Sequence, residues 1–114
     1  MQKVINSFRW ATNGIRTTWR EEVNFRIEIL CAFGVVVAGV YLNFSKLEWA
    51  FIAACITAVL AAEMVNTAVE DLCNKVESNT DTLIGKIKDV MGGFVLIVVA
   101  GASIIGLMVF SNHF

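Results

Sequence analysis

The sequence has no proline, a single histidine and few charged residues, 17% of its 114 positions. A soluble domain of this length balances a small core with a charged surface, and so sparse a charge excludes that class. Its cysteines, Cys31, Cys55 and Cys73, are odd in number and lack metal-ligand or redox spacing, so they carry no assigned chemistry and read as small hydrophobes. There is no Walker loop, no GxGxxG and no kinase-type HRD or DFG triplet, so the usual nucleotide motifs give no support. Internal repeats, low-complexity tracts and domain linkers are also missing.

What the chain has in abundance is apolar sequence: 57% of its residues are hydrophobic, and mean hydropathy is +0.69. A membrane crossing takes about 20 mainly apolar residues. Three stretches approach that length: Ile27 to Phe44, Trp49 to Ala62 continuing through Val69, and Val90 to Phe110. The first begins too deep in the chain, is too long for a signal-peptide core and follows a polar helix, so no removable targeting segment is expected. Before it, Val4, Ile5, Phe8, Ala11, Ile15 and Trp19 share one helical face, with Lys3, Arg9, Arg16 and Arg20 mostly elsewhere. This pattern suits a helix lying in the membrane interface.

The expected fold is therefore all-α, a single membrane domain over 1–114. It comprises an amphipathic surface helix over 1–21 and three transmembrane helices over 22–44, 48–76 (with an extension into water) and 83–112. Lys3, Arg9, Arg16, Arg20 and Arg26 precede the first span, and Lys75, Lys86 and Lys88 fall between the second and third. The turn NFSKLEW carries only Lys46. The positive-inside rule then puts the N-terminus and second connection in the cytoplasm and the C-terminal SNHF outside. Small residues of the last span (Gly92, Gly93, Ala100, Gly101, Ala102, Gly106) permit close helix approach.

The stretch EMVNTAVED, residues 63–71, follows twelve almost wholly apolar residues. Glu63, Asn66, Thr67, Glu70 and Asn74 fall on one stripe of a helix. Glu63 and Glu70 stand about 10 Å apart along the axis, too far to share a proton but suited to two tasks. Glu63, the deeper, is placed to accept a proton. Glu70, nearer water, is placed to hold a cation. Glu22 and Glu28 from the first span, and Lys88 with Asp89 before the third, are expected at the same level. Few hard oxygen ligands beside an ammonium suit magnesium on nucleotide phosphates. Two other readings fit the stripe: carboxylates paired structurally with Arg26 or a lysine at an oligomer interface, and an ion relay in a small oligomeric transporter or channel. Three helices are too few to surround a sizeable polar site, which argues for self-association.

From GIRTTWREEVNFRIE through AEMVNTAVEDL to GKIKDVMGG, the chain closely resembles the prokaryotic diacylglycerol kinase family, membrane lipid kinases that include undecaprenol kinases. The resemblance rests on the E-x-x-N-[ST]-[AG]-[VI]-E element at 63–70, with E-x-x-F-R at 22–26 and K-D at 88–89. It implies a homotrimer in the bacterial cytoplasmic membrane with active sites shared between subunits, open to ATP from the cytoplasm and to a lipid alcohol from the bilayer. By position, it implies Glu63 as the base acting on the lipid hydroxyl, Glu22 and Glu70 as ligands of the magnesium of MgATP, and Asn66 as an organiser of the site. It implies Lys88 towards the phosphates, Asp89 towards the sugar or adenine, Gly85 near the nucleotide, and Arg26 and Glu28 as polar residues helping to build the site. Asn74 stands where the family usually has aspartate, and Met91 and Phe94 stand where it tends to have small residues. A catalytically dead interaction module is the further reading that Asn74 suggests. NFRIE is similar to the undecaprenol branch and its final glutamate to the diacylglycerol branch.

Overall fold

Long apolar runs without proline favour helix, in which every backbone polar group is satisfied within its own segment. The computed structural model describes residues 1–76 and 81–114, and four helices account for nearly all of them. These are α1 (Gln2–Glu21), α2 (Val23–Leu42), α3 (Lys46–Val76) and α4 (Thr82–Ser111). The last three are long and apolar enough to cross a membrane. Leu30, Phe33, Val40, Leu96, Ile97 and Leu107 point outward, as side chains do where hydrocarbon is the solvent. The chain is a multi-pass, all-α membrane protein.

At 31 residues, α3 is longer than a bilayer core requires. Its final turns, with Glu70, Asp71, Asn74 and Lys75, therefore project towards water. Of the connection expected between the second and third spans, residues 77–80 lie outside the described residues. Asp81 caps α4, its Oδ1 accepting from the backbone N–H groups of Leu83 at 2.9 Å and Ile84 at 3.1 Å.

One residue separates α1 from α2. Glu22 is extended (φ −113°, ψ 110°), and its N–H still donates to Thr18 O at 2.9 Å. The last carbonyls of a helix lack partners of their own. Here Arg26 supplies them: Nη1 donates to Trp19 O at 2.7 Å and Arg20 O at 2.9 Å. A side chain from the first turns of α2 thus fixes how α1 leaves it.

The α2–α3 turn is built around Phe44. Asn43 takes the left-handed conformation (φ 59°, ψ 57°) that ends α2, and Phe44 N–H returns to Gly39 O at 3.0 Å. Phe44 lies so close over Gly39 that a Cβ there would come within 2.6 Å of the Phe44 ring and 2.7 Å of Trp49. Ser45 and Glu48 form a reciprocal capping box for α3: Ser45 N–H donates to Glu48 Oε1 at 2.8 Å, and Glu48 N–H to Ser45 Oγ at 3.1 Å. Phe44, Ile52 and Val109 form the buried apolar cluster at this end, joined by Trp49 and Phe110.

Most interhelical packing is α4 along α3; α2 leans on α3, and α1 touches α2 and α3. Among the described residues α2 and α4 do not pack together, so a groove of about 540 Å³ opens between them over α3. Its walls are mostly apolar, with Glu28 on α2 and Ser103 on α4 as polar members.

Candidate active site

The acidic stripe of α3 is turned inward at its deep end. Glu63 is only 3% exposed, beside buried Ala62 and Thr67. The Thr67 hydroxyl satisfies itself locally, donating to Glu63 O at 2.9 Å, and leaves the Glu63 carboxyl unengaged by its own helix. That carboxyl is met from α2 by Glu28, the two side chains lying within hydrogen-bonding reach. Glu22, at the α1–α2 break, and Glu70, two turns along α3, are close enough to act on it electrostatically.

Among the described residues no cation forms an ion pair with these carboxylates. Among the described residues the one ion pair is His113 with Glu48, at the other end of the molecule. Glu28 Oε2 is buried without a partner. Removing carboxyl groups from water without pairing them is costly, and inside a membrane such groups mark functional sites. Structural pairing of these carboxylates with Arg26 does not occur within the chain, because Arg26 is committed to the end of α1. Its own backbone N–H donates to Glu22 O at 3.3 Å.

Towards water the site widens. Asn66 and Glu22 are half-buried, and Glu70 is exposed. On α4, Lys88 Nζ crosses to α3 and donates to Asn74 Oδ1 at 2.7 Å. Asp89 follows it, exposed, and nothing lies within 4 Å of the space a Cβ on Gly85 would take. The structure thus brings Glu28 against Glu63, with Glu22 and Glu70 further out around them, and sets Lys88 with Asn74 at the rim. No cluster of three acidic, histidine or cysteine side chains encloses a metal among the described residues. Magnesium needs only one or two protein carboxylates, with water or phosphate oxygens in its other positions, and Glu22 and Glu70 are the carboxylates here that stand nearer water than Glu63.

Along the sequence, Ser45-x-x-Glu48 signals only the start of α3, and nothing ties this turn to the C-terminus. In the structure Asn112 and His113 both dock on Glu48.

The model of the prokaryotic diacylglycerol kinase family matches residues 9–110. The undecaprenol kinase of Bacillus subtilis (strain 168) is 30% identical over 110 residues, which cover 96% of this chain and 89% of that protein. The diacylglycerol kinase of Escherichia coli (strain K12) is 25% identical over 112 residues, covering 98% and 92% of the two chains. That of Haemophilus influenzae is 27% identical over 86 residues, 75% and 73% respectively. All the carboxylates gathered around Glu63 fall inside the matched range. With three helices able to span a bilayer and an uncompensated acidic site among them, the chain belongs to the prokaryotic diacylglycerol kinase family and is a membrane lipid kinase.

Proposed function

We propose that the protein transfers the γ-phosphoryl group of MgATP to the primary hydroxyl of a membrane lipid alcohol, diacylglycerol or undecaprenol, at the cytoplasmic face of the bacterial inner membrane. The observation that carries this reading is Glu63: an acidic side chain 3% exposed within an apolar helix, beside further carboxyl groups and without an ion-pair partner.

The lipid hydroxyl gives its proton to a Glu63 carboxylate oxygen as its own oxygen forms the new bond to the γ-phosphorus. The bond from that phosphorus to the β,γ-bridging oxygen breaks, and ADP leaves with the electron pair. Glu28 neighbours the acceptor and helps orient it. Bound through Glu22 and Glu70, magnesium would supply charge neutralisation to the phosphates. Lys88 and Asp89 hold the nucleotide at the rim, Lys88 at the phosphates and Asp89 at the sugar or base, with Gly85 leaving room beside them. Asn66, between Glu63 and Glu70, keeps the two tasks in register. Such a reaction needs mainly positioning and charge stabilisation from the protein.

The working unit is a homotrimer with sites completed by a neighbouring subunit. Two observations support it. Cβ atoms on Gly92, Gly93, Gly101 and Gly106 would meet nothing within 4 Å, so these positions of α4 leave room for another helix. The buried Oε2 of Glu28 also lacks a hydrogen-bond partner among the described residues.

The test is ATP-dependent labelling of diacylglycerol and undecaprenol side by side in mixed micelles. Labelled product on either lipid supports the kinase reading and names the substrate. No labelling of either, with ion flux in reconstituted vesicles instead, overturns it.

A further inference from the structure

Helix α1 carries Lys3, Arg9, Arg16 and Arg20, and no acidic residue precedes Glu21. It meets the rest of the molecule at Thr18, its one buried residue, 5% exposed. At about 100° of turn per residue, the exposed Val4, Phe8, Ile15 and Trp19 lie about 40–100° around the helix from Thr18. Arg9, Arg16 and Arg20 lie at about 160–180°, on the side turned away from the bundle, and span about 16 Å of the axis. With the apolar side chains in hydrocarbon, these arginines stand at headgroup level along the outer edge of α1. All three are exposed, and among the described residues none forms an ion pair. The Arg16 side chain makes one long hydrogen bond, Nη1 to Asn13 Oδ1 at 3.4 Å.

We propose that Arg9, Arg16 and Arg20 form a binding edge for the headgroups of anionic phospholipids. Their place beside the apolar side chains sets what they hold at the membrane surface, and their charge selects its sign. The planar fork of arginine matches phosphate oxygens in pairs. A zwitterionic headgroup brings a cation beside its phosphate, whereas an anionic one does not, so the edge discriminates between the two. One such charge near the surface favours an anionic lipid roughly fivefold. Lipid binding at this edge is independent of the phosphoryl transfer proposed above.

The test uses the full chain as W10F/W49F, which leaves Trp19, between the apolar side chains and the arginines, as the one tryptophan. The protein is placed in vesicles of phosphatidylcholine and phosphatidylglycerol, with bromine on the chains of one lipid or the other, and quenching of Trp19 reads the relative affinity for the two headgroups. Phosphatidylglycerol is expected to be preferred roughly fivefold at low salt. The preference is expected to vanish in about 1 M salt and in R9Q/R16Q/R20Q, and to persist in R9K/R16K/R20K. Equal quenching by the two lipids at low salt, or a preference that survives high salt or the glutamine substitutions, overturns the assignment. A glutamine variant that keeps the preference and changes its oligomeric state does so too, because the arginines then face a second copy of the chain. The salt titration leaves the arginines intact, so it decides even where the triple variant fails to fold.

Discussion

His113 Nε2 lies 3.0 Å from Oε2 of Glu48, a carboxylate 65 residues earlier that also accepts from Asn112 Nδ2 at 3.1 Å and from Ser45 N–H at 2.8 Å. The His113 ring stands over Phe44 with centroids 5.1 Å apart. One side chain thus caps α3 and fastens the end of α4 to its start. Glu48 is about 22 Å along α3 from Glu63, so the lock and the site are separable. E48A and H113A are expected to lower the melting temperature in detergent and to leave KM for ATP and for lipid unchanged. Thermal scans beside steady-state kinetics check both halves.

Gly39 offers a sharper test of the same turn. A methyl group there would press on both Phe44 and Trp49. G39A is expected to cost about 1–3 kcal/mol, the usual penalty of overpacking. Denaturant titration in mixed micelles measures it, and stability equal to wild type would contradict the close packing of this corner.

Arg26 acts where a helix break has no glycine or proline to announce it. Its two bonds to the carbonyls of Trp19 and Arg20 hold α1 at a fixed angle to α2, with Glu22 in the extended residue between. R26A is expected to loosen α1, seen as faster amide exchange at residues 19–23. Because Glu22 moves with the break, phosphorylation is expected to fall several-fold. R26K, which keeps the charge but loses the planar donor fork, is expected to recover only part of it.

How much of this was written in the sequence follows from the range of each interaction. The three spans and the amphipathic α1 are local properties of apolar runs and helical period. The stripe from Glu63 to Asn74 is likewise local, since the helix itself sets its spacing. The partner of each stripe residue is not local. That Glu28, rather than a cation, meets Glu63 depends on how α2 leans on α3, and that Lys88 reaches Asn74 depends on the packing of α4. Arg26 reads as a member of the polar set around the site, yet its contacts go to backbone carbonyls, which sequence spacing does not display. The His113–Glu48 contact joins opposite ends of two helices and leaves no periodic trace.

Glu70 is exposed at the water-facing side of Glu63, where a carboxylate can serve a metal without being committed to a protein partner. E70Q is expected to weaken nucleotide binding and shift the magnesium requirement upward, with E22Q acting in the same direction. Titration of activity against magnesium at fixed ATP reads this. Curves superimposable on wild type would remove both residues from a metal role.

Turnover of E63Q, measured alongside its nucleotide binding, tests most directly whether Glu63 takes the proton of the lipid hydroxyl. The substitution keeps size and polarity and removes the proton acceptor, so kcat is expected to fall by about 10²–10⁴-fold or beyond while ATP and lipid affinities stay near wild type. A kcat within a fewfold of wild type in correctly folded E63Q would contradict the account.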